Sequence, residues 1–320
     1  MPAMHPLKIF ATILVALLVA SCAQTPPAPP AKPEVPVAVV VPVSPAPPSP
    51  PVAVPVKVAL ALGGGAARGF AHVGVIKVLE ANGIVPDIIV GTSAGSVVGA
   101  LYAYGRNAAQ LQTIALEMQE AEVGDWSLPD RGVIKGEALQ NFVNRAVNNR
   151  PIEKLNRLFG VVATDLRSGD QLVFRTGNTG MAVRASSAVP GVFKPVNILG
   201  REYVDGGLVS PVPVKAARDM GANFVIAVDI SLQPKDGLTQ STIDVLLQTF
   251  TIMGQTITRY ETPSADVLIR PVVNGLSTTD FTSRKRAILE GEKAATAMIA
   301  TIITRLDSMR FPRTAANGRP

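Results

Sequence analysis

The stretch "IIVGTSAGSVVGA", residues 88–100, places a single serine between two glycines at the end of an apolar run. The β-branched residues before the serine favour a buried strand, and the small residues after it favour a helix. GTSAG fits the G-x-S-x-G pattern of a nucleophile elbow, a sharp strand-to-helix turn that presents the serine hydroxyl. Ser93 is therefore a candidate nucleophile, and Gly91 and Gly95 would let neighbouring backbone approach it. The alternative is that Ser93 only caps the helix.

The segments around this stretch alternate between strand and helix patterns. We expect strands within residues 56–64 and 87–91, and helices over residues 68–83 and 93–105. An alternation of this kind predicts a parallel sheet with crossover helices. The predicted fold class is α/β, a three-layer domain with a mainly parallel central sheet and helices on both faces.

The rest of the chain continues with the same two periodicities and shows no internal repeat. Helices are expected over residues 107–122, 135–149, 179–189, 241–261 and 281–309, strand pairs over residues 158–175 and 194–207, and single strands over residues 223–231 and 265–272.

The N-terminus, residues 1–21, has the composition of an export signal, with Lys8 before an apolar run over residues 9–20. That run is shorter than the roughly 20 residues needed to span a bilayer. It ends at VASC, which resembles the bacterial lipobox, so we expect a lipoprotein signal peptide and lipidation of Cys22; a chance cysteine is the alternative. Cys22 is the only cysteine, which excludes internal disulfides and thiolate metal sites.

A proline-rich segment, residues 22–56, follows and predicts an extended tether in polyproline II conformation, with a docking segment for a partner as the alternative. A folded domain is expected over residues 57–320. The sequence motifs described below fall within about residues 58–230, and residues 231–320 are expected to form a helical C-terminal extension. Because Ala23 and not Asp follows the lipidated cysteine, we expect the bacterial cell envelope, and the outer membrane rather than the inner one.

The formal net charge is +6 on 320 residues, and aromatic residues make up 5% of the chain. Basic residues are not interleaved with aromatic ones, so a nucleic-acid surface has no support. The positive charge could favour an anionic lipid surface, or it could simply be solvated. No metal cluster or cofactor motif is visible, and we expect neither.

A glycine-rich loop follows the first strand, with Gly63, Gly64 and Gly65 before Arg68 and Gly69. Consecutive glycines expose backbone N–H groups that can bind a phosphate or stabilise an oxyanion. The spacing does not fit the G-x-G-x-x-G dinucleotide pattern, and no Walker lysine follows. The remaining interpretations of the glycine-rich loop are a site that binds an anion and a site that stabilises an oxyanion.

Histidine is almost absent, which limits how Ser93 could be activated. His5 lies in the segment expected to be removed, and His72 precedes Ser93, whereas α/β-hydrolases place their histidine last. We expect His72 to be packed or bonded to backbone. The candidate base is then a carboxylate, and Asp205 stands at the end of a predicted strand before two glycines, a context that alone would indicate a turn.

A serine, an aspartate base and a glycine-rich oxyanion loop together are the arrangement of the patatin-like phospholipases, and the chain resembles that family. Family members commonly carry glycine where this chain has Ala66. The remainder is similar to bacterial members related to the catalytic domain of neuropathy target esterase. The matching motifs occur in family order at GGGAARG (63–69), GTSAG (91–95), ASSAVPGVFKPV (185–196) and DGG (205–207).

The resemblance implies roles for individual residues. Ser93 would be the nucleophile, Asp205 its general base and Arg68 an anchor for the loop, with contact to a lipid phosphate as the alternative for Arg68. The oxyanion donors would be the amides of Gly64, Gly65 and Ala66, within a loop that also includes Gly63 and Gly69.

The implied activity is that of a membrane-tethered serine acyl hydrolase, a phospholipase or lysophospholipase that works through an acyl-enzyme. Its partners would be the phospholipid or lysophospholipid substrate and the membrane reached through Cys22. Two alternatives remain. One is a general carboxylesterase or thioesterase acting on soluble acyl substrates, and the other is a catalytically weak lipid-binding envelope protein.

Overall fold

A single mixed sheet with helices on both faces forms the fold. The computed structural model describes residues 55–119, 134–234, 239–274 and 283–311. These residues all belong to one of two units into which the contacts divide the chain, Pro50–Pro320. The strands are β1 (Val58–Leu62), β2 (Ile88–Thr92), β3 (Leu158–Asp165), β4 (Gln171–Phe174), β5 (Val196–Ile198), β6 (Arg201–Asp205), β7 (Phe224–Val228) and β8 (Val267–Ile269).

The helices connect these strands and close the two faces. They are α1 (Phe70–Ala81), α2 (Ala94–Tyr104), α3 (Ala108–Glu117), α4 (Glu137–Ala146), α5 (Thr179–Ser186), α6 (Val214–Asp219), α7 (Thr242–Glu261) and α8 (Arg284–Arg310).

The sheet runs in the order β5-β6-β3-β2-β1-β7-β8, and β4 pairs with β3. The pairs from β3 through β2, β1 and β7 to β8 are parallel, whereas β4, β5 and β6 pair in antiparallel fashion at one side. Strands β1, β2 and β7 are buried along their whole length, as expected for strands covered on both faces. The prediction of an α/β fold with a mainly parallel central sheet is confirmed.

Alternate residues of β1 enter two separate apolar cores, which makes three layers. Leu60 and Leu62 join the larger core with residues of α1, α2 and α8. Ala59 and Ala61 join a second core with Val214 and other residues of α6.

Helix α8 packs directly on α1 through two glycines. A Cβ atom built on Gly74 would overlap the carbonyl oxygen of Ile288, and one built on Gly291 would overlap the carbonyl oxygen of Ala71. The two backbones therefore touch, and the C-terminal helix is part of the domain's core packing.

Some element boundaries differ from the sequence expectations. The helix expected from residue 68 begins as a 3-10 turn at Ala66–Gly69, and its α-helical part starts at Phe70. Helix α6 was not predicted, because six residues after Pro213 are too few to show a helical period. Helix α3 ends at Glu117.

Several predictions lie outside the described residues. They are the signal peptide, Cys22, the tether up to residue 54, the last residues of the helix expected over 107–122 and the first of the one expected from 281. No helix within the described residues is long and apolar enough to cross a membrane.

Candidate active site

Ser93 lies at the turn between β2 and α2 in a backbone conformation that residues with a Cβ rarely adopt. Its φ is 51° and its ψ is −123°, a combination that costs about 1–3 kcal/mol and that persists only where the surroundings enforce it. The Ser93 side chain makes no capping hydrogen bond to α2. The residue is half-buried, so the hydroxyl is held at a strained turn without serving the helix end.

Neighbouring residues enforce this turn. A Cβ atom on Gly91 would lie 2.5 Å from the carbonyl oxygen of Gly95 and from the amide nitrogen of Ser96, and one on Gly95 would overlap the carbonyl oxygen of Leu62. Side chains are therefore excluded at both glycines. The hydroxyl of Ser96 donates to the Ser93 carbonyl oxygen at 2.6 Å.

Ser186 supports the turn from another element, and the sequence did not assign it this role. Its Oγ atom accepts a hydrogen bond from the Ser93 amide at 2.8 Å, and its side chain is fully buried near the end of α5. The only sequence signal for it was its place within the ASSAVPGVFKPV motif.

Asp205 reaches the same edge of the sheet from β6. Thr92 pairs with Val162, and Asp205 pairs with Ala163, so the ends of β2 and β6 lie at the same level, two strand spacings or about 10 Å apart. Strand β3 lies between them and continues to Asp165. The backbone of Asp205 is fixed by Thr164, whose hydroxyl donates to the Asp205 carbonyl oxygen at 2.8 Å.

The Asp205 carboxyl group is buried, with 3% of the residue exposed. Burial raises its pKa to about 6, while hydrogen bonds from the Gly207 amide and the Ser93 hydroxyl oppose the rise in pKa. The amide of Gly207 donates to Oδ1 at 2.7 Å. Oδ2 has no hydrogen bond of standard geometry with any described residue. The Ser93 hydroxyl is thus close enough to the Asp205 carboxyl group to affect its pKa.

The glycine loop passes beside Ser93, but its first two amides are already engaged. The amide of Gly63 donates to the Val228 carbonyl oxygen at 3.0 Å, and that of Gly64 donates to the Pro211 carbonyl oxygen at 2.9 Å. The expected donation by Gly64 to an oxyanion would require its amide to leave Pro211.

The next two amides of the loop, those of Gly65 and Ala66, have no acceptor among the described residues. Ala66 has a positive φ of 50°, a conformation that favours glycine. Its strain is the physical reason why a glycine would fit that position better. Of the three amides that the resemblance implies as donors, these two are available without rearrangement.

The side chains of Arg68 and His72 hydrogen-bond to backbone carbonyl oxygens of the glycine loop. Nε of the buried Arg68 donates to the Gly65 carbonyl oxygen at 3.1 Å, while burial lowers the pKa of Arg68 to about 10 and Asp229 partly restores it. Nε2 of His72 lies 2.8 Å from the Gly63 carbonyl oxygen. Burial lowers the pKa of His72 to about 4, so a neutral imidazole donates to Gly63. The expectation of a backbone-bonded His72 is confirmed.

No group of three or more His, Cys, Asp or Glu residues that could hold a metal ion occurs within the described ranges.

The fold and this edge of the sheet define an α/β protein with a nucleophile elbow at the carboxyl end of a parallel strand. Residues 60–218 match the family model described as "Patatin-like phospholipase". The chain therefore contains a patatin-like phospholipase domain.

Curated proteins named as patatin-like or NTE family proteins are similar over more than half of this chain. Patatin-like phospholipase domain-containing protein 6 of Mus musculus is 35% identical over 190 residues, which are 57% of this chain and 14% of that protein. An uncharacterized NTE family protein of Mycobacterium tuberculosis is 37% identical over 177 residues, which are 55% of this chain and 49% of that protein. The chain thus spans half or less of the length of these relatives.

Among solved structures, the chain is similar to VipD from Legionella pneumophila, with a TM-score of 0.46 and 12% identity. The match covers 78% of this chain and 68% of that one.

Proposed function

We propose that the protein is a serine acyl hydrolase that cleaves ester bonds of phospholipids or lysophospholipids. The patatin-like phospholipase domain is consistent with a lipid hydrolase. The observation that carries the proposal is a strained, non-capping Ser93 next to a buried Asp205, whose Oδ2 atom has no hydrogen bond of standard geometry with any described residue.

Asp205 would act as the general base in a Ser-Asp dyad. It takes the proton from Ser93 Oγ while that oxygen forms a bond to the ester carbonyl carbon. When the tetrahedral intermediate collapses, the leaving alkoxide takes the proton from Asp205 and departs as the alcohol. Water then attacks the acyl-enzyme and gives its proton to Asp205, and Ser93 recovers a proton as the fatty acid leaves.

Backbone groups would stabilise the oxyanion. The amides of Gly65 and Ala66, which have no acceptor among the described residues, support this role, and the N-terminus of α2 adds a favourable dipole. A carboxylate is a weaker base than imidazole, but a pKa of about 6 for Asp205 brings it closer to the range in which a base works well at neutral pH.

The test is lipid product analysis with purified protein and its variants. Ser93→Ala and Asp205→Asn are each expected to abolish release of fatty acid from phospholipid and lysophospholipid, with Ser168→Ala on an exposed turn as the matched control. Full activity in either site variant, with the fold intact, contradicts the dyad. Faster turnover of short-chain soluble esters than of lipids favours the carboxylesterase or thioesterase alternative, and a folded protein that cleaves neither class favours the lipid-binding alternative.

The membrane anchor is a second part of the proposal. Lipidation of Cys22 would hold the domain beside its substrate in the cell envelope, at the outer membrane, with residues 22–56 as the tether. We expect Cys22→Ala to abolish labelling of the protein by a clickable palmitate analogue and to release it from the membrane fraction. Unchanged labelling excludes Cys22 as the acylated residue.

A further inference from the structure

Helix α7 presents an apolar surface to solvent. Thr258 is the only buried residue of its 20, and four large side chains share the side that faces away from the domain. Their exposed fractions are 52% for Val245, 50% for Ile252, 51% for Met253 and 84% for Tyr260. We call these four residues the outer face of α7.

The outer face lacks the charges that a solvated helix normally carries. Residues 245–258 include no Asp, Glu, Lys or Arg. A helix on the surface of a soluble domain usually turns its apolar side inward and its charged side to water. Clustered exposed apolar side chains indicate an interaction surface.

The position of α7 links this surface to the candidate active site. A Cβ atom on Gly254 would lie 3.6 Å from the Pro211 side chain and 3.9 Å from the Gly207 carbonyl oxygen. Pro211 accepts from the glycine loop and Gly207 donates to Asp205. The inner side of α7 therefore borders the residues that hold the site, and its outer face lies on the opposite side of the same helix.

The charges at the C-terminal end of the helix indicate what covers the outer face. Arg259 follows on the same side, and it lines a groove together with Arg270, Arg305 and one carboxylate, that of Asp266. Arg270 is paired with Asp229 at 3.2 Å, so three guanidinium groups face two carboxylates there. Such guanidinium groups complement anionic headgroups, and the amphipathic ring of Tyr260 suits the boundary between water and acyl chains.

We propose that the outer face of α7 docks on a lipid bilayer surface that carries anionic headgroups, so that the site opens toward ester substrates in that bilayer. The role of this docking in ester hydrolysis rests on the proposed function, but binding of the outer face to a bilayer can be measured without hydrolysis.

The test labels one residue of the outer face in the full chain. Cys22→Ser removes the only thiol, Ser93→Ala removes hydrolysis, and Ile252→Cys then carries a polarity-sensitive fluorophore. The matched control carries the same label at Leu158→Cys, because Leu158 is similarly exposed at 54% but begins β3 at the opposite edge of the sheet. The vesicles contain phosphatidylcholine with or without phosphatidylglycerol.

We expect the emission of the label at position 252 to shift to the blue on vesicles with phosphatidylglycerol, and that of the control to stay unchanged. Adding Val245→Glu should reduce the shift at least severalfold. A water-like emission at position 252 on vesicles overturns the proposal, as does a blue shift that depends on protein concentration without vesicles, which would indicate a second copy. If the label at position 252 shifts to the blue as expected but the wild-type protein cleaves no ester, the docking proposal is supported and the proposed function is rejected.

A different observation concerns Ser210, which joins the two halves of the candidate site. Its carbonyl oxygen accepts from the Thr92 hydroxyl at 2.8 Å, and Thr92 directly precedes Ser93. Its amide donates to the carbonyl oxygen of Gly206, the residue after Asp205, at 2.9 Å. Its own hydroxyl donates to Oε1 of Glu261 at 2.6 Å.

Glu261 is placed to fix Ser210 rather than to form an ion pair. Its Oε1 atom also accepts weakly from the amide of Lys215 at 3.4 Å, and Oε2 is buried without a hydrogen bond to any described residue. Burial raises the pKa of Glu261 to about 7. We infer that Ser210 and Glu261 are positioning residues that keep the Ser93 turn and the Asp205 loop at their working separation, an inference that rests on the proposed function.

The test compares Glu261→Gln with Glu261→Leu on a soluble ester. Glutamine keeps an acceptor for the Ser210 hydroxyl and should retain kcat, whereas leucine should lower kcat about tenfold with little change in KM. Ser210→Ala should behave like Glu261→Leu. Equal kcat in the two Glu261 variants overturns the inference, and absence of turnover in the wild type rejects the proposed function instead.

Discussion

The backbone of Ser93 is strained by about 1–3 kcal/mol, and the residues that keep it so are identifiable. Gly91 and Gly95 allow contacts that a Cβ would forbid, and Ser186 and Ser96 hold the peptide groups on either side of the Ser93 Cα atom. The strain is thus supported by several independent contacts. Such support is what presents a hydroxyl group for reaction rather than for capping.

Activity is expected to depend on the ionisation of Asp205. The pKa of this carboxyl group is raised to about 6 by burial, and only the ionised form can accept a proton from Ser93. The kcat/KM for a neutral soluble ester should therefore rise with pH through about 6 and level off above it. A pH profile between pH 4.5 and 8.5 measures this. A rate that stays constant down to pH 4.5 contradicts a base with this pKa.

The same burial lowers the free energy of unfolding at neutral pH, because the ionised Asp205 carboxylate is then buried in the folded state. A carboxyl group whose pKa is raised in the folded state contributes stability below its unfolded pKa of about 4, and that contribution is lost as the pH rises through about 6. Asp205→Asn keeps an acceptor for the Gly207 amide without the buried charge. We expect the variant to be more stable than the wild type at pH 8, by up to about 3 kcal/mol, and about equally stable at pH 4.

Urea unfolding at the two pH values measures the free energy of unfolding of both proteins. Equal stability at pH 8 would show that ionisation of Asp205 carries no penalty in the folded state.

At the scale of elements, the contact between α1 and α8 depends on two glycines. Gly291→Ala gains about 1 kcal/mol of helix propensity, but its Cβ would overlap the Ala71 carbonyl oxygen, and separating the helices costs more. We expect a net loss of about 1–3 kcal/mol in the free energy of unfolding. The control, Thr296→Ala on the exposed side of α8, should change stability by less than about 0.5 kcal/mol. A Gly291→Ala protein as stable as the wild type contradicts the close approach.

Long periodic elements were predictable from the sequence, and short ones were not. Strands β1, β2 and β7 are continuous apolar runs, and α1, α2 and α8 have apolar positions at helical spacing, so local patterns suffice. Helix α6 has six residues after a proline and gives no periodic signal. The 3-10 turn before α1 depends on the positive φ of Ala66, which the sequence of an alanine does not indicate.

At the scale of the whole molecule, the sequence identified candidate residues but not the network that holds them. Ser93 and Asp205 were identified because their motifs occur in the order of a known family. Ser186 was marked only by its place in the ASSAVPGVFKPV motif, which does not reveal its hydrogen bond to the Ser93 amide. Ser210 and Glu261 are linked to the site through Thr92 and through each other, and no local pattern marks them. The engagement of the Gly64 amide by Pro211 is equally a product of the fold.

The positions of the candidate site, of α7 and of the groove suggest how the domain is oriented on a bilayer. The candidate site borders the inner side of α7, and the groove that Arg259, Arg270 and Arg305 line lies at the C-terminal end of that helix. A domain tethered through residues 22–56 could place all three against the same bilayer. This arrangement links the proposed anchor, the docking surface and the ester substrate.

Covalent labelling of Ser93 is the most direct test of the central claim. Wild-type protein is treated with a fluorophosphonate probe, and the intact mass and the modified peptide are determined by mass spectrometry. The account predicts one adduct per chain, located on Ser93, absent in Ser93→Ala and formed at least tenfold more slowly in Asp205→Asn. A folded wild-type protein without an adduct, or an adduct on another serine that persists in Ser93→Ala, would contradict it.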